Sequence, residues 1–294
     1  MSARIRPIRQ TPATRRAVGV LAATAALAAA SLTACSDDSD GIADDCSPAA
    51  EFTTVASGTL TVAAVQQLPG IDINPNTKDM TGLDAVLLKD FATDNCLSLD
   101  IQPLPGPSAV ASLTENKADI GGGGWYKTPE RAAQLRQSET LWYDQAGIVS
   151  TTGLDSIEAL KGKKVGVVGG SLFEKPLGSL LGADNVSSYQ SMDQIFNDLE
   201  SGRIDAALGA GATLTIQLSD RGSDELGVEV LELDPAHADL TTPGEVNYPS
   251  TKNNDALGAA LDAFITDARE DGRIRDTLAE YEITSDTALE GPTK

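Results

Sequence analysis

The chain has 294 residues, enough for one large or two medium domains, and its hydrophobic fraction of 41% is ordinary for a globular protein. Its formal charge of -21 repels nucleic acid and anionic lipid, so we expect no nucleic-acid partner. The single histidine, His237, has no neighbour at a spacing typical of a catalytic or metal site. We therefore expect no metal, no cofactor and no hydrolytic triad.

The first 34 residues have the features of an export signal. An arginine-rich start precedes an apolar run at 18–32 that is short for a membrane span. The run ends in Leu-Thr-Ala-Cys at 32–35, which resembles the lipobox of bacterial lipoproteins. That resemblance implies that Cys35 is lipidated, that residues 1–34 are removed, and that 35–58 form a flexible spacer. A secretory signal with an incidental cysteine is the alternative, and the export route, Sec or twin-arginine, stays open.

Two further cysteines, Cys46 and Cys96, form an even pair in a chain that we expect to be exported. An oxidising compartment favours a disulfide between them. It would close a loop of about fifty residues and stabilise the fold by roughly 3–4 kcal/mol in the chain-entropy model. Two unpaired thiols are the alternative.

After the spacer, strand-like and helix-like patterns alternate along the chain. The first half predicts strands at 60–65 and 99–104 and helices at 82–92 and 108–117, an order typical of a parallel sheet covered by helices. Extended chain at 141–149 leads to a second unit. We expect its strands at 163–168, 204–208 and 228–233, and its helices at 169–171 onward and 192–201. A long amphipathic helix is predicted at 255–269.

One stretch, residues 119–131, combines several local signals for a binding site. Four glycines follow a short strand and allow the backbone to approach another group closely. Thr128 and Pro129 then predict the start of a helix. Arg131 falls in the first turn of that helix, beside free backbone N–H groups, which indicates an anion-binding corner. A plain strand–turn–helix connection with a solvated Arg131 is the alternative.

Several phrases occur in the order typical of one family. They are Gly-Leu-Asp at 82–84, the stretch 119–131, Leu-Lys-Gly-Lys-Lys-Val-Gly-Val at 160–167, Ser-Gly-Arg-Ile-Asp-Ala at 201–206, Lys-Asn-Asn-Asp-Ala-Leu at 252–257 and Glu-Asp-Gly-Arg-Ile at 270–274. The chain thus resembles the amino-acid-type (family 3) extracytoplasmic solute-binding proteins of ABC importers. The resemblance implies a type II periplasmic-binding-protein fold, with two α/β lobes joined by two hinge strands. Lobe one would be 59–149 with 242–294, and lobe two 150–241.

The resemblance also implies ligand contacts in the cleft between the lobes. Arg131 would bind a ligand carboxylate, assisted by Thr128 and by the backbone of Gly124, Trp125 and Tyr126. Gly170 and Ser171, at a helix start in lobe two, would donate to the same carboxylate. We expect a monomer that hands a small solute to an ABC permease and is held at the outer face of the cytoplasmic membrane by lipid on Cys35.

The sequence departs from the family at the ammonium end of the ligand. The acid that holds the ligand ammonium in the family is replaced here by Ala210. Either another acid takes its place, or the ligand is not an ordinary α-amino acid. The candidate acids, left unranked, are Asp84, Glu174 and Glu245, and an aromatic wall could come from Trp125, Tyr126 and Tyr143.

Three functions remain open at this point. The first is an uptake receptor for a carboxylate-bearing solute, most simply an amino acid or derivative. The second is a membrane-tethered sensor or adaptor with the same fold. The third is an enzyme resembling cyclohexadienyl dehydratase, for which no general acid can be identified. Because fold similarity does not fix function, we rank them in the order receptor, sensor, enzyme.

Overall fold

The computed structural model of the chain describes residues 45–74, 76–77 and 79–292. The predicted export signal, the lipidation at Cys35 and the first part of the spacer lie outside the described residues. Among the described residues, none of the helices has the length and apolar character needed to cross a bilayer.

The elements form two α/β lobes. The strands are β1 (Thr59–Ala64), β2 (Asp72–Ile73), β3 (Met80–Thr81), β4 (Ser98–Pro103), β5 (Ile120–Gly122), β6 (Trp125–Tyr126), β7 (Trp142–Asp144), β8 (Ala146–Ser150), β9 (Val165–Val168), β10 (Val186–Tyr189), β11 (Ala206–Ala210), β12 (Gly227–Val230) and β13 (Gly244–Asn247). The α-helices are α1 (Leu83–Asp94), α2 (Gly106–Thr114), α3 (Pro129–Gln134), α4 (Glu174–Leu181), α5 (Met192–Glu200), α6 (Gly211–Arg221), α7 (Ala238–Thr241), α8 (Asp255–Glu270), α9 (Arg273–Ala279) and α10 (Asp286–Glu290). Short 3-10 helices occupy Glu158–Leu160, Ala183–Asn185 and Pro235–His237.

The first lobe is built on a parallel sheet in the order β4-β1-β5. Strand β1 lies at its centre and is buried from Leu60 to Ala64, as expected for a parallel strand that is covered on both faces. Helices α1 and α8 pack their apolar faces on this sheet. The buried side chains of α8 are Leu257, Leu261, Phe264, Ile265 and Ala268, the helical stripe that the sequence predicts, together with Gly258.

The second lobe is built on a five-stranded sheet in the order β10-β9-β11-β8-β12. Strands β9, β10 and β11 are parallel, whereas β8 runs antiparallel to both of its neighbours. Helix α5 buries Ile195, Phe196 and Leu199, the three residues predicted to face inward. The two sheets therefore have separate hydrophobic cores, and the predicted alternation of strands and helices is confirmed in both.

The chain crosses between the lobes at Gln145, which joins β7 to β8, and returns between α7 and β13. Gln145 is buried and ties the crossing together: its carbonyl accepts from the Gly211 N–H at 2.7 Å. Its side chain donates to the Leu231 carbonyl at 3.1 Å and accepts from the Ser285 hydroxyl at 2.7 Å. Strand β7, before Gln145, pairs with β13, whereas β8, after it, belongs to the sheet of the second lobe. The second sheet therefore begins a few residues before position 150, the predicted start of lobe two. The domain boundaries themselves stay a prediction.

A disulfide joins Cys46 and Cys96, with their Cα atoms 5.8 Å apart. It connects the described end of the spacer to the turn between α1 and β4. The Ala49 N–H, which donates to the Asp94 carbonyl, and the Ala50 N–H, which donates to the Asn95 side chain, hold the same segment. The spacer is thus anchored to lobe one from residue 46 onward.

Candidate functional site

A cleft of about 550 Å³ lies between the lobes, where the chain leaves the carboxyl ends of β1, β9 and β11. Open α/β sheets bind ligands at such strand ends. The first lobe lines it with Gln66, Gln67, Gly124, Tyr126 and Arg131. The second lobe lines it with Val168, Gly170, Ser171, Leu172, Phe173, Ser191, Met192, Leu208, Gly209, Ala210, Thr213 and Gln217.

The glycines of the first lobe let the backbone reach the cleft. Gly123 has φ of 99°, and a Cβ atom there would overlap the Val65 carbonyl, so only glycine fits. Its N–H donates at 2.5 Å to Asp84, which also accepts from the Tyr248 hydroxyl at 2.7 Å. Burial raises the pKa of Asp84 to about 6, against the lowering effect of these two hydrogen bonds. Asp84 therefore holds the glycine turn in place from behind.

Arg131 is half-buried at the edge of this turn and faces the cleft. Its guanidinium donates to the Tyr126 carbonyl at 2.6 Å and lies over the Trp125 ring, 5.0 Å from the ring centroid. Burial lowers its pKa, although arginine stays protonated at any pH of interest. The backbone contact and the ring fix the orientation of the guanidinium while leaving donors free for an anion.

Tyr126 links this corner to the crossing between the lobes. Tyr126 is one of the residues that line the cleft, and its hydroxyl donates to Asp144 at 2.8 Å. Burial raises the pKa of Asp144 to about 6, and burial beside Asp144 raises the pKa of Tyr126 well above its usual value. The other Asp144 oxygen accepts from the Ala212 N–H, at the start of α6, at 3.4 Å.

The second lobe presents a similar corner in the loop from Gly169 to Phe173, between β9 and α4. The Gly170 N–H is already engaged, because it donates at 2.7 Å to the side chain of Glu174. This hydrogen bond holds the pKa of Glu174 below its usual range. The Ser171 hydroxyl is buried and has no hydrogen-bond partner among the described residues. Leu172 is 58% exposed at the mouth of the cleft.

The predicted site residues divide into those that reach the cleft and those that support it. Gly124, Tyr126, Arg131, Gly170 and Ser171 all line it. Thr128 instead caps α3, accepting from the Arg131 N–H at 3.2 Å. Trp125 is 4% exposed and lies behind the guanidinium, with its indole N–H donated to the Gly122 carbonyl. It borders a smaller adjoining cavity of about 340 Å³ that also contacts Arg131.

The three candidate acids are engaged outside the cleft lining. Asp84 lies behind the glycine turn, and Glu174 is bonded to Gly170. Glu245 accepts from the Thr140 hydroxyl at 2.8 Å and pairs with Lys127. Tyr143, the third candidate for an aromatic wall, borders a different cavity near the crossing. Phe173 and Tyr126 are the aromatic side chains that line the cleft within the described ranges.

Several lining residues were missed from the sequence. Gln66 and Gln67 directly follow the apolar run of β1. Their position at the end of a parallel strand is the feature from which a place in the cleft could have been predicted. Thr213 and Gln217 are one turn apart on α6, which the sequence analysis did not predict. Helix α6 has no side-chain N-cap, and its first N–H groups are satisfied instead by Gln145 and Asp144 from the crossing strand. The start of α6 is therefore fixed by tertiary contacts with the crossing strand and not by a local capping residue.

The chain matches the model of the bacterial extracellular solute-binding proteins, family 3, over residues 60–283. It belongs to that family. Two relatives are the arginine-binding extracellular protein ArtP of Bacillus subtilis (strain 168) and the histidine-binding periplasmic protein of Escherichia coli (strain K12). The first is 28% identical over 44% of this chain and 52% of its own length, and the second 27% identical over 52% and 64%. The chain thus matches only about half to two thirds of each.

The fold is also similar to that of solved structures. An ancestral arginine-binding protein bound to arginine superimposes with a TM-score of 0.61 and 23% identity, over 76% of this chain and 98% of that protein. At this identity the likeness concerns the fold alone, which is the type II periplasmic-binding-protein fold that the sequence predicts. Both of these relatives are named as binding proteins.

Proposed function

We propose that the protein is an extracytoplasmic receptor that captures a small carboxylate-bearing solute, an amino acid or a derivative, for an ABC-type importer. The observation that carries this proposal is the oriented guanidinium of Arg131 in a cleft lined by both lobes. Membership of a family of solute-binding proteins and the names of the relatives support it.

Binding would combine a fixed cation with closure of the two lobes, 59–149 with 242–294 and 150–241. The ligand carboxylate would pair with Arg131 beside the backbone of Gly124, and the Ser171 hydroxyl would reach it from the other lobe. Closure would remove water from the cleft and strengthen each of these hydrogen bonds. The solute would then pass to a permease that recognises the closed form.

Attachment to the membrane is part of the same proposal. Lipidation of Cys35 would hold the domain at the outer face of the cytoplasmic membrane, and the segment up to Cys46 would let it move between solution and permease. Residues 46–50 are fixed to lobe one by the disulfide, by one backbone hydrogen bond and by one hydrogen bond to the Asn95 side chain, and they would form the point where this tether meets the domain.

The first test is thermal unfolding of the soluble chain from Ser36 onward against amino acids, their derivatives, other carboxylic acids and sugars. A ligand at a hundred times its Kd stabilises by about 2.7 kcal/mol, which shifts the Tm measurably. Stabilisation by carboxylates identifies the ligand class. Stabilisation by uncharged sugars alone, or by nothing in the panel, contradicts the proposal.

Replacing Arg131 tests the site itself. Arg131→Ala removes the half-buried cation that a carboxylate needs, at a cost of roughly 2–5 kcal/mol, so calorimetry should show at least about thirtyfold weaker binding. Arg275→Ala is the matched control, since Arg275 is exposed on α9 away from the cleft. Both variants should keep the wild-type far-ultraviolet circular dichroism. Full affinity in Arg131→Ala would overturn the assignment.

Transport requires a separate measurement. Cells that lack the protein should lose uptake of the solute that stabilises it, and the full-length protein with Cys35 should restore uptake. Binding without any loss of uptake would favour the sensor function. Conversion of the bound acid into a product would favour the enzyme.

A further inference from the structure

The charge of the cleft lining is one-sided. Among the residues that the structure describes, Arg131 is the one charged residue that lines the cleft. The remaining polar side chains are neutral: the amides of Gln66, Gln67 and Gln217 and the hydroxyls of Tyr126, Ser171, Ser191 and Thr213. The side chains that line the site are therefore positive at one end and neutral elsewhere, and the acid next to the lining, Glu174, is held by the Gly170 N–H.

Two of these neutral groups project from α6 on one face of the helix. Thr213 and Gln217 are four residues apart, so their side chains are neighbours. Thr213 bridges the lobes, donating to the Leu68 carbonyl at 3.2 Å and accepting from the Gln67 amide at 3.4 Å. The Gln217 side chain makes no hydrogen bond within the described residues and is half-buried in the cleft wall. It offers a free amide opposite the lobe that carries Arg131.

A ligand with a cationic end would be poorly matched to this lining. On closure its ammonium or guanidinium would lose water, repel Arg131 and meet amides in place of a carboxylate. A ligand with a carboxamide or urea group would be well matched, because a glutamine side chain both donates to and accepts from such a group. The apolar side chains of Leu172, Phe173 and Met192 would cover its carbon chain.

We propose that the cleft selects carboxylates whose other end is neutral, and that Gln217 sets this specificity. This inference rests on the proposed function. The ligand would place its carboxylate on Arg131 and a neutral hydrogen-bonding group near Gln217. Solutes that carry a second, cationic group of the same shape would be rejected.

The test uses pairs of ligands that differ in charge and little in shape. 5-Guanidinopentanoate and 5-ureidopentanoate differ by a guanidinium against a urea, and 6-aminohexanoate and 6-acetamidohexanoate by an ammonium against an amide; none of the four carries an α-ammonium beside its carboxylate. Calorimetry on the soluble chain from Ser36 onward should give at least about tenfold tighter binding of the neutral member in whichever pair binds. Equal or tighter binding of the cationic member overturns this inference while leaving the carboxylate receptor intact. Failure of every carboxylate to bind contradicts the proposed function itself.

A variant that adds a negative charge at position 217 tests the role of Gln217 directly. Gln217→Glu keeps the length of the side chain and supplies the carboxylate that a cation needs, so the ratio of the two affinities should move at least tenfold toward the cationic member. Gln194→Glu is the control, because Gln194 is exposed on α5 of the same lobe and adds the same charge outside the cleft. An unchanged ratio in Gln217→Glu, or an equal change in the control, overturns the assignment of specificity to this residue.

Discussion

The two corners that face each other across the cleft share a sequence pattern, a strand that ends in glycines and leads to a helix, yet they are in different states. In the first lobe the turn is packed from behind by Asp84, and Arg131 is oriented with free donors. In the second lobe the Gly170 N–H is bonded to Glu174 of the same chain, and Leu172 is exposed. If the ligand binds as proposed, the first corner can receive its carboxylate directly, whereas the second must release the Glu174 carboxylate before Gly170 can donate to the ligand.

The packing of the two turns can be compared by adding one methyl group to each. In Gly123→Ala the Cβ would overlap the Val65 carbonyl at a positive φ, so we expect a loss of about 3 kcal/mol or more in the free energy of unfolding. Gly170→Ala, with φ of 77° and open space around the Cβ, should cost only about 1 kcal/mol. Urea unfolding measures both. Equal losses would mean that the first turn is not the more tightly packed one.

Asp84 and Glu174, the acids bonded to the two glycine turns, should make the free energy of unfolding depend on pH in opposite directions. Because the pKa of Asp84 in the folded state, about 6, lies above its usual value of 3.8, its protonation favours the folded form. Its contribution to stability is complete below the unfolded pKa and is lost as the pH rises through 6. Between pH 7.5 and 5 this group should add about 1 kcal/mol as the pH falls.

Asp84→Asn should remove this gain from the pH profile of the free energy of unfolding. Asp144, whose pKa is also about 6, contributes a similar gain. The rise in the free energy of unfolding between pH 7.5 and 5 should therefore shrink in Asp84→Asn and in Asp144→Asn, and shrink further in the double variant. The pKa of Glu174 is lowered, so its contribution is present above its unfolded pKa and is lost as the pH falls below that range. A profile between pH 7.5 and 5 that is the same in wild type and Asp84→Asn would contradict the assignment.

The smallest expected effect concerns the engaged N–H of the second corner. Glu174→Gln weakens the hydrogen bond from Gly170, because a neutral amide accepts less strongly than a carboxylate. The ligand carboxylate then competes more easily for that N–H, and its affinity should rise about twofold to fivefold. Glu158→Gln is the control, an exposed acid of the same lobe that pairs with Lys161. Weaker ligand binding in Glu174→Gln would mean that the carboxylate supports the site instead of competing for it.

The first corner could be predicted from the sequence because its determinants are local. The glycines, the Thr128 cap, Pro129 and Arg131 lie within a few residues of one another, and each has a strong conformational preference. Family membership and the two-lobe fold were predicted from phrases of the same kind, and both are confirmed. The contribution of Arg131 to binding stays a prediction.

The second corner and α6 depend on contacts that the sequence does not reveal. The helix expected at 169–171 begins instead at Glu174, because Gly169 to Phe173 form a turn. Glu174 was a candidate for binding a ligand ammonium, and only the direction of its side chain shows that it bonds to Gly170. Helix α6 contains several β-branched residues and no local cap, so its propensity is weak and tertiary packing decides its existence.

The contact between Ser285 and Gln145 has a practical consequence for reporting ligand capture. Helix α10 follows Ser285 directly, Thr287 donates to Glu232 at 3.2 Å, and Arg269 donates to the Leu289 carbonyl. The C-terminal segment is therefore fastened to the crossing region and not to the rim of the cleft. A fluorescent label attached to α10 would therefore lie beside the crossing between the lobes and leave the entrance to the cleft open, so this helix is a suitable site for an optical reporter.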